Sequence, residues 1–107
     1  MSSARENLEK LIGTPRDGAL LRYSLGLEYL KLGEPQRAIA HLREAVDRDP
    51  LYSAAWKALG KALEKEKLSA QALEAFRHGI DAARRKGDKQ AEKEMTVFAR
   101  RLEKPPS

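Results

Sequence analysis

The chain has no cysteine, which excludes disulfide staples and thiolate metal sites together. Aromatic residues make up only 6% of it, too few for a core of stacked rings. Long apolar runs are missing as well, and nothing approaches the roughly 18 consecutive apolar residues that a membrane-spanning helix requires. The opening Met1-Ser-Ser-Ala-Arg-Glu lacks the apolar stretch of a secretory leader, so a soluble, cytoplasmic protein is expected. No Gly-rich phosphate loop, activated nucleophile motif or His-Glu metal helix occurs. β-branched residues are scarce and no segment alternates apolar with polar residues over a useful length, which argues against a sheet.

What remains is a helical composition. Apolar residues reach 41% and charged residues 35% of 107 positions, as suits one small domain with thin core layers. The punctuation places helices near 3–12, 17–32, 35–48, 52–66, 69–85 and 88–103. Gly33 suits a left-handed helix stop, and Pro35 a first helical position whose missing N–H costs nothing. Asp49-Pro50 ends a helix, Ser69 is expected to cap the next, and Gly87-Asp88 supplies a stop followed by a fresh cap. Lys104 to Ser107 is expected to fray.

The strongest signal is a period. Leu25-Gly26, Ala38 and Leu42 recur thirty-four positions later as Leu59-Gly60, Ala72 and Phe76. The same offset pairs Ile39 with Leu73, Val46 with Ile80, Arg43 with Arg77, Asp47 with Asp81 and Lys31 with Lys65. Small residues fall on small and large apolar residues on large, which preserves the volumes of a packed interface. A unit repeated in this way stacks on its copy and buries a face that neither could bury alone. Stepped back once more, Ala38, Leu42 and Ala45 land on Ala4, Leu8 and Leu11, a degenerate preceding half-unit. Stepped forward, the register fails at Gln90 and Lys93-Glu94. A stripe of Ala91, Met95, Phe98 and Leu102 takes over, an amphipathic helix suited to closing the stack.

The residues Trp56-Lys-Ala-Leu59-Gly60, followed by Ala72-Leu-Glu-Ala-Phe76, resemble the tetratricopeptide repeat pattern W-x2-L-G…A-x3-F…P. The upstream copy reads Leu25-Gly26-x2-Tyr29, Ala38-x3-Leu42, Ala45 and Pro50, with Arg22 in place of the tryptophan. The resemblance implies an all-α fold, antiparallel helical hairpins stacked as a short right-handed solenoid with a C-terminal capping helix. It implies a single domain, 1–107, laid out as half-repeat 3–16, repeats 19–52 and 53–86, cap 88–103 and tail 104–107. By the same resemblance Trp56 is expected between paired helices, and Gly26 and Gly60 at close helix approaches.

For function, the resemblance implies a non-catalytic protein–protein interaction module, an adaptor or scaffold with no cofactor and no metal. The first helix of each unit would line a concave groove. Leu20, Tyr23, Leu27 and Leu30 or Lys31 would come from one unit, and Ala54, Lys57, Lys61 and Glu64 from the next. Tyr23, Leu27, Lys31, Ala54, Lys57 and Lys61 are therefore the expected protein-binding residues. They form an apolar and basic surface suited to an extended or helical peptide with an acidic group. The family's carboxylate clamp of lysines, asparagines and an arginine is not expected. The single asparagine, Asn7, lies ahead of both full units, and the third unit is incomplete.

Two other readings follow from the residues. A short stack has little core of its own, so self-association, such as a homodimer, is an alternative. Residues 84–104 hold eight basic and four acidic side chains within a chain of net charge +5. That basic end is an alternative contact for nucleic acid, but lysine and glutamate are interspersed and no aromatic is left over for base stacking. His41 with Glu44 and His78 with Glu74 share helix faces. They read as ordinary surface pairs, because a metal or catalytic site needs ligands converging from several elements.

Overall fold

In the computed structural model, residues 3–103 are described, and they fold into six helices with no strand among them. These are α1 (Ala4–Glu9), α2 (Ala19–Lys31), α3 (Pro35–Arg48), α4 (Ser53–Lys65), α5 (Ser69–Lys86) and α6 (Lys89–Glu103). The expected frayed tail falls outside the described residues. Helix α1 is shorter than the expected 3–12. Beyond Glu9 the N–H groups of Leu11 and Ile12 reach back only three residues, to Leu8 and Glu9, and Gly13 then turns at φ +80°. The cap of α5 also differs, because Ser69 is its first residue and Leu68 occupies the N-cap with no side-chain bond. The stop at Gly87 is left-handed, φ +72°, and Asp88 Oδ1 accepts the Ala91 N–H at 3.1 Å.

Successive helices pack as antiparallel neighbours. The tightest pairs are α2 with α3, α4 with α5, and α5 with α6. Within each pair the crossing is set by a glycine facing a large side chain. A Cβ on Gly26 would lie 2.6 Å from Leu42 Cγ, and one on Gly60 would lie 2.6 Å from Phe76 Cδ1. Gly79 repeats the device, since a Cβ there would meet Met95 Sδ and, at 2.8 Å, Trp56 Cβ. Phe76, Leu25, Leu42, Leu59, Leu63 and Met95 are accordingly buried almost completely.

One core cluster runs from Leu42 to Ala99 and joins α3 through α6. A second unites Leu21, Leu25, Tyr29 and Ala38, with Leu8 and Leu11 of the N-terminal half-unit packed on it. Helix α4 touches both α2 and α6, whereas the backbones of α3 and α5 do not meet. The layer of α2, α4 and α6 is therefore the closed, concave side, and α3 and α5 diverge on the convex back. Helix α6 belongs to the concave layer. Its buried Ala91, Met95 and Ala99 repeat Ala55, Leu59 and Leu63 at an offset of thirty-six. The register does not end at the second unit but slips by two, because α5 is four residues longer than α3 while the connection after it, 87–88, is two residues shorter than 49–52.

Arg22, at the tryptophan position of the first unit, is held by Asp17. The carboxylate accepts Arg22 Nε at 2.9 Å and Nη2 at 3.1 Å, and also the Gly13 N–H at 2.9 Å. Arg48 of α3 closes the network, 3.6 Å from Asp17 Oδ1 and donating to the Asp17 carbonyl at 2.6 Å. The Arg22 guanidinium, then the Gly13 N–H, hold the Asp17 carboxyl far below the usual carboxylate range. A cation pair thus clamps the 13–17 turn where the next unit uses an indole.

Two outcomes follow. Gly60→Ala removes a helix-interior penalty of about 1 kcal/mol but overpacks a closed contact. The expected result in urea melts is a net loss of about 1 kcal/mol, smaller when Phe76 is replaced by leucine. Because Asp17 is depressed in the folded state, its contribution is complete above the unfolded carboxylate pKa of about 4 and is lost as pH falls toward the folded value. Thermal melts between about pH 5 and pH 2 should show wild type losing more stability than Asp17→Asn.

Candidate functional site

The expected groove residues lie on the concave layer, and the structure sorts them. Tyr23 of α2 meets Tyr52, the residue that precedes α4, with ring centroids 5.0 Å apart. Burial, then the neighbouring Tyr23, raises the Tyr52 phenol above its ordinary pKa. Leu27 stands exposed on α2, and Leu20 is 69% exposed about two turns before it. Ala54 and Lys57 line a small cavity between α4 and α6 with Ser53, Gln90 and Glu94. Lys31 is exposed and pairs with Glu28 of its own helix at 3.4 Å.

The two lysines of α4 differ in state. Lys57 Nζ meets Glu94 Oε1 of α6 at 3.2 Å, a pair in which both side chains are partly buried. Lys61, one turn further on, has no such carboxylate and sits 5.1 Å from the centroid of the Phe98 ring. The Arg101 guanidinium lies 5.5 Å from the same ring. Between α2 and α4 a cavity of about 410 Å³ is lined by Leu30, Lys61, Ala62, Glu64 and Lys65. Phe98 packs on the core, its ring 5.4 Å from that of Phe76, as its place in the apolar stripe of α6 suggests. Sequence reasoning missed Glu94 and Arg101 near Lys57 and Lys61, because the two-residue slip hid that α6 continues the layer of α4. An offset of thirty-six sets Val97 at the place of Lys61 and Arg101 at that of Lys65, whereas Glu94 and Phe98 fall at the places of Ala58 and Ala62 and carry no such signal.

Neither histidine meets a convergent set of ligands. His41 is half-buried, with its ring stacked on Tyr29 at 5.5 Å and its Nδ1 3.4 Å from Arg22 Nη1. It is thus not the surface pair with Glu44 that its spacing suggests. Burial, then Arg22, lowers its pKa. His78 does pair with Glu74, at 3.7 Å, on the convex back. Its ring stacks on Trp56 at 5.0 Å, and the indole N–H donates to the Pro50 carbonyl at 2.8 Å. Trp56 packs on the core with one edge, as expected, while its outer side lines a convex cleft of about 340 Å³ with Arg43, Asp47 and Gln71. Among the described residues no group of three or more His, Asp or Glu side chains is placed to hold a metal ion. Nor, among the described residues, is any helix long and apolar enough to cross a membrane.

Comparison with known proteins agrees with this geometry. The tetratricopeptide repeat profile matches residues 23–88. A TPR repeat-containing protein of Pseudomonas aeruginosa is 50% identical over 99 residues, covering 92% of this chain and 94% of that protein. A Bordetella parapertussis protein solved in solution superposes with TM-score 0.79 at 43% identity, covering 95% of this chain and 89% of that one. A tetratricopeptide repeat domain protein of Salinibacter ruber gives TM-score 0.76 at 30% identity, over 81% of this chain and 88% of its own.

The Lys57–Glu94 bridge is half-exposed, so its strength should be modest. A double-mutant cycle with Lys57→Met and Glu94→Gln should return a coupling of about 0.5 kcal/mol in low salt. The coupling should fade at ~1 M salt, where the screening length is about 3 Å.

Proposed function

Because the chain belongs to the tetratricopeptide repeat family, whose members generally mediate protein–protein interaction and are generally non-catalytic, we propose that it is an adaptor. It holds a peptide or protein segment with an acidic group on the concave face of α2, α4 and α6. The observation that carries this reading is where apolar surface stays uncovered. The exposed large hydrophobic residues that lie within helices are Leu20 and Leu27 of α2 and Val97 of α6, and none lies on α3 or α5. Ile12, Leu32, Leu51 and Leu68 are exposed as well, but in connections. On the helix faces the uncovered apolar side chains keep to one layer, which suits a surface that a partner covers. Cations beside them add selectivity for an acidic partner and speed its approach.

Tyr23 and Leu27 supply contact area at low entropic cost, and Lys61 supplies the charge. Lys57, already bonded to Glu94, braces the floor more than it attracts ligand. Lys31 and Ala54 flank the path at its two edges.

The test uses position-specific photocrosslinking in native lysate. A photoreactive side chain replacing Leu27 or Val97 should trap a discrete partner, and one replacing Arg77 on the back should not. Charge reversal of Lys61 should remove the Leu27 adduct. Adducts formed equally from both faces, or unaffected by that reversal, would count against the groove.

A further inference from the structure

The concave face contains its own template for ligand recognition. On adjoining turns of α4 and α6 the same pair of positions is filled in two ways. At the lower turn Lys57 faces Glu94, and the pair closes at 3.2 Å. Four residues on along each helix, Lys61 faces Phe98, so the place of the carboxylate is taken by a ring. Arg101 lies against that same ring, and Lys65 lies one turn beyond Lys61. Among the described residues, none of Lys61, Lys65 and Arg101 forms an ion pair. Glu64, the acid that lines the adjoining cavity, bonds to none of them. Cations gathered at one ring with no counter-anion from the chain leave a place for an added carboxylate.

Lys61 also forms part of the wall of the 410 Å³ cavity whose apolar floor is Leu30 and Ala62. Cation and apolar hole are therefore contiguous, sharing one side chain. In an extended strand, side chains at i and i+2 point the same way roughly 7 Å apart, so one such segment can reach both places that Lys61 joins. A helical ligand would set its nearest same-face residues three or four apart and would need a trough as wide as its own diameter of about 10 Å.

The geometry points to a bipartite subsite. Lys61 and Arg101, both held at the Phe98 ring, receive a carboxylate from an extended acidic peptide, which neutralises them as Glu94 neutralises Lys57 one turn below. The cavity over Leu30 and Ala62 receives a large apolar side chain two residues away. This assignment rests on the concave-groove reading and narrows it to a partner of stated chemistry, an extended segment carrying an acid and an apolar residue at i and i+2. Lys57 takes no part, since its anion is supplied from within the chain.

The experiment is an amide NMR titration of the whole chain with blocked hexapeptides of glycine and serine that carry aspartate and leucine at i and i+2. The expected shifts centre on Leu30, Lys61, Phe98 and Arg101. Apparent affinity should fall about tenfold when asparagine replaces the peptide's aspartate, and similarly for the exposed-residue variants Lys61→Gln and Arg101→Gln. Lys86→Gln, a surface change away from the site, should have no effect, and added salt should weaken binding. Equal shifts with the asparagine peptide, or none at millimolar peptide, would overturn the subsite. Shifts centred on Tyr23 and Leu27 instead would discard the subsite while keeping the groove. Shifts confined to α3 and α5 would discard both.

Discussion

Close approach of paired helices at a glycine is the constraint on which the rest of this stack depends. Gly26 lies under Leu42, Gly60 under Phe76 and Gly79 under Met95 and Trp56. A mid-helix glycine costs about 1 kcal/mol in helix propensity. That cost is offset by letting a large side chain settle against bare backbone, where its dispersion contacts are most numerous. The contact also fixes the distance between helices. With α2 drawn onto α3 and α4 onto α5, the inner helices touch in series while the outer ones splay apart, and curvature follows without any dedicated residue.

Curvature then decides where chemistry can be displayed. The inner layer carries uncovered leucines, an aromatic wall at Tyr23 and Tyr52, and cations of two kinds, one neutralised within the chain and one not. The outer layer carries mixed charges in short-range pairs such as Arg48 with Glu44 and Arg85 with Asp81. Pairs of that sort solubilise a surface and add little to stability. At the N-terminal end, the Asp17, Arg22 and Arg48 network takes over a job that the second unit gives to Trp56. A polar clamp that accepts hydrogen bonds from backbone and side chains can close a small hairpin that lacks volume for an indole.

Much of this was legible in the residues. The recurrence of Leu-Gly opposite Leu42 and Phe76 exposes the helix pairing, because volume complementarity leaves a mark at fixed spacing. Pro35, Gly33 and Gly87 mark helix ends through backbone geometry that few other residues adopt. Other features left no such mark. The slip at α6 follows from a longer α5 and a shorter connection after it, lengths that no single signature residue marks. Ser69 is a good cap by type, yet α5 begins one residue earlier than that role would require. The Lys57–Glu94 bond joins residues thirty-seven apart, and a pair of common charges at such a distance looks like any other pair. His41 reads as a surface residue until its stacking partner Tyr29 is known.

Trp56 is the sole tryptophan, and it stands where the outer helices diverge, with His78 across its face. Its indole therefore works as a built-in optical gauge. Any bending that flattens or deepens the arc changes the spacing between α3 and α5, and with it the polarity around the fluorophore. Emission colour from the back of the molecule can then report the curvature of the whole stack, with no dye attached.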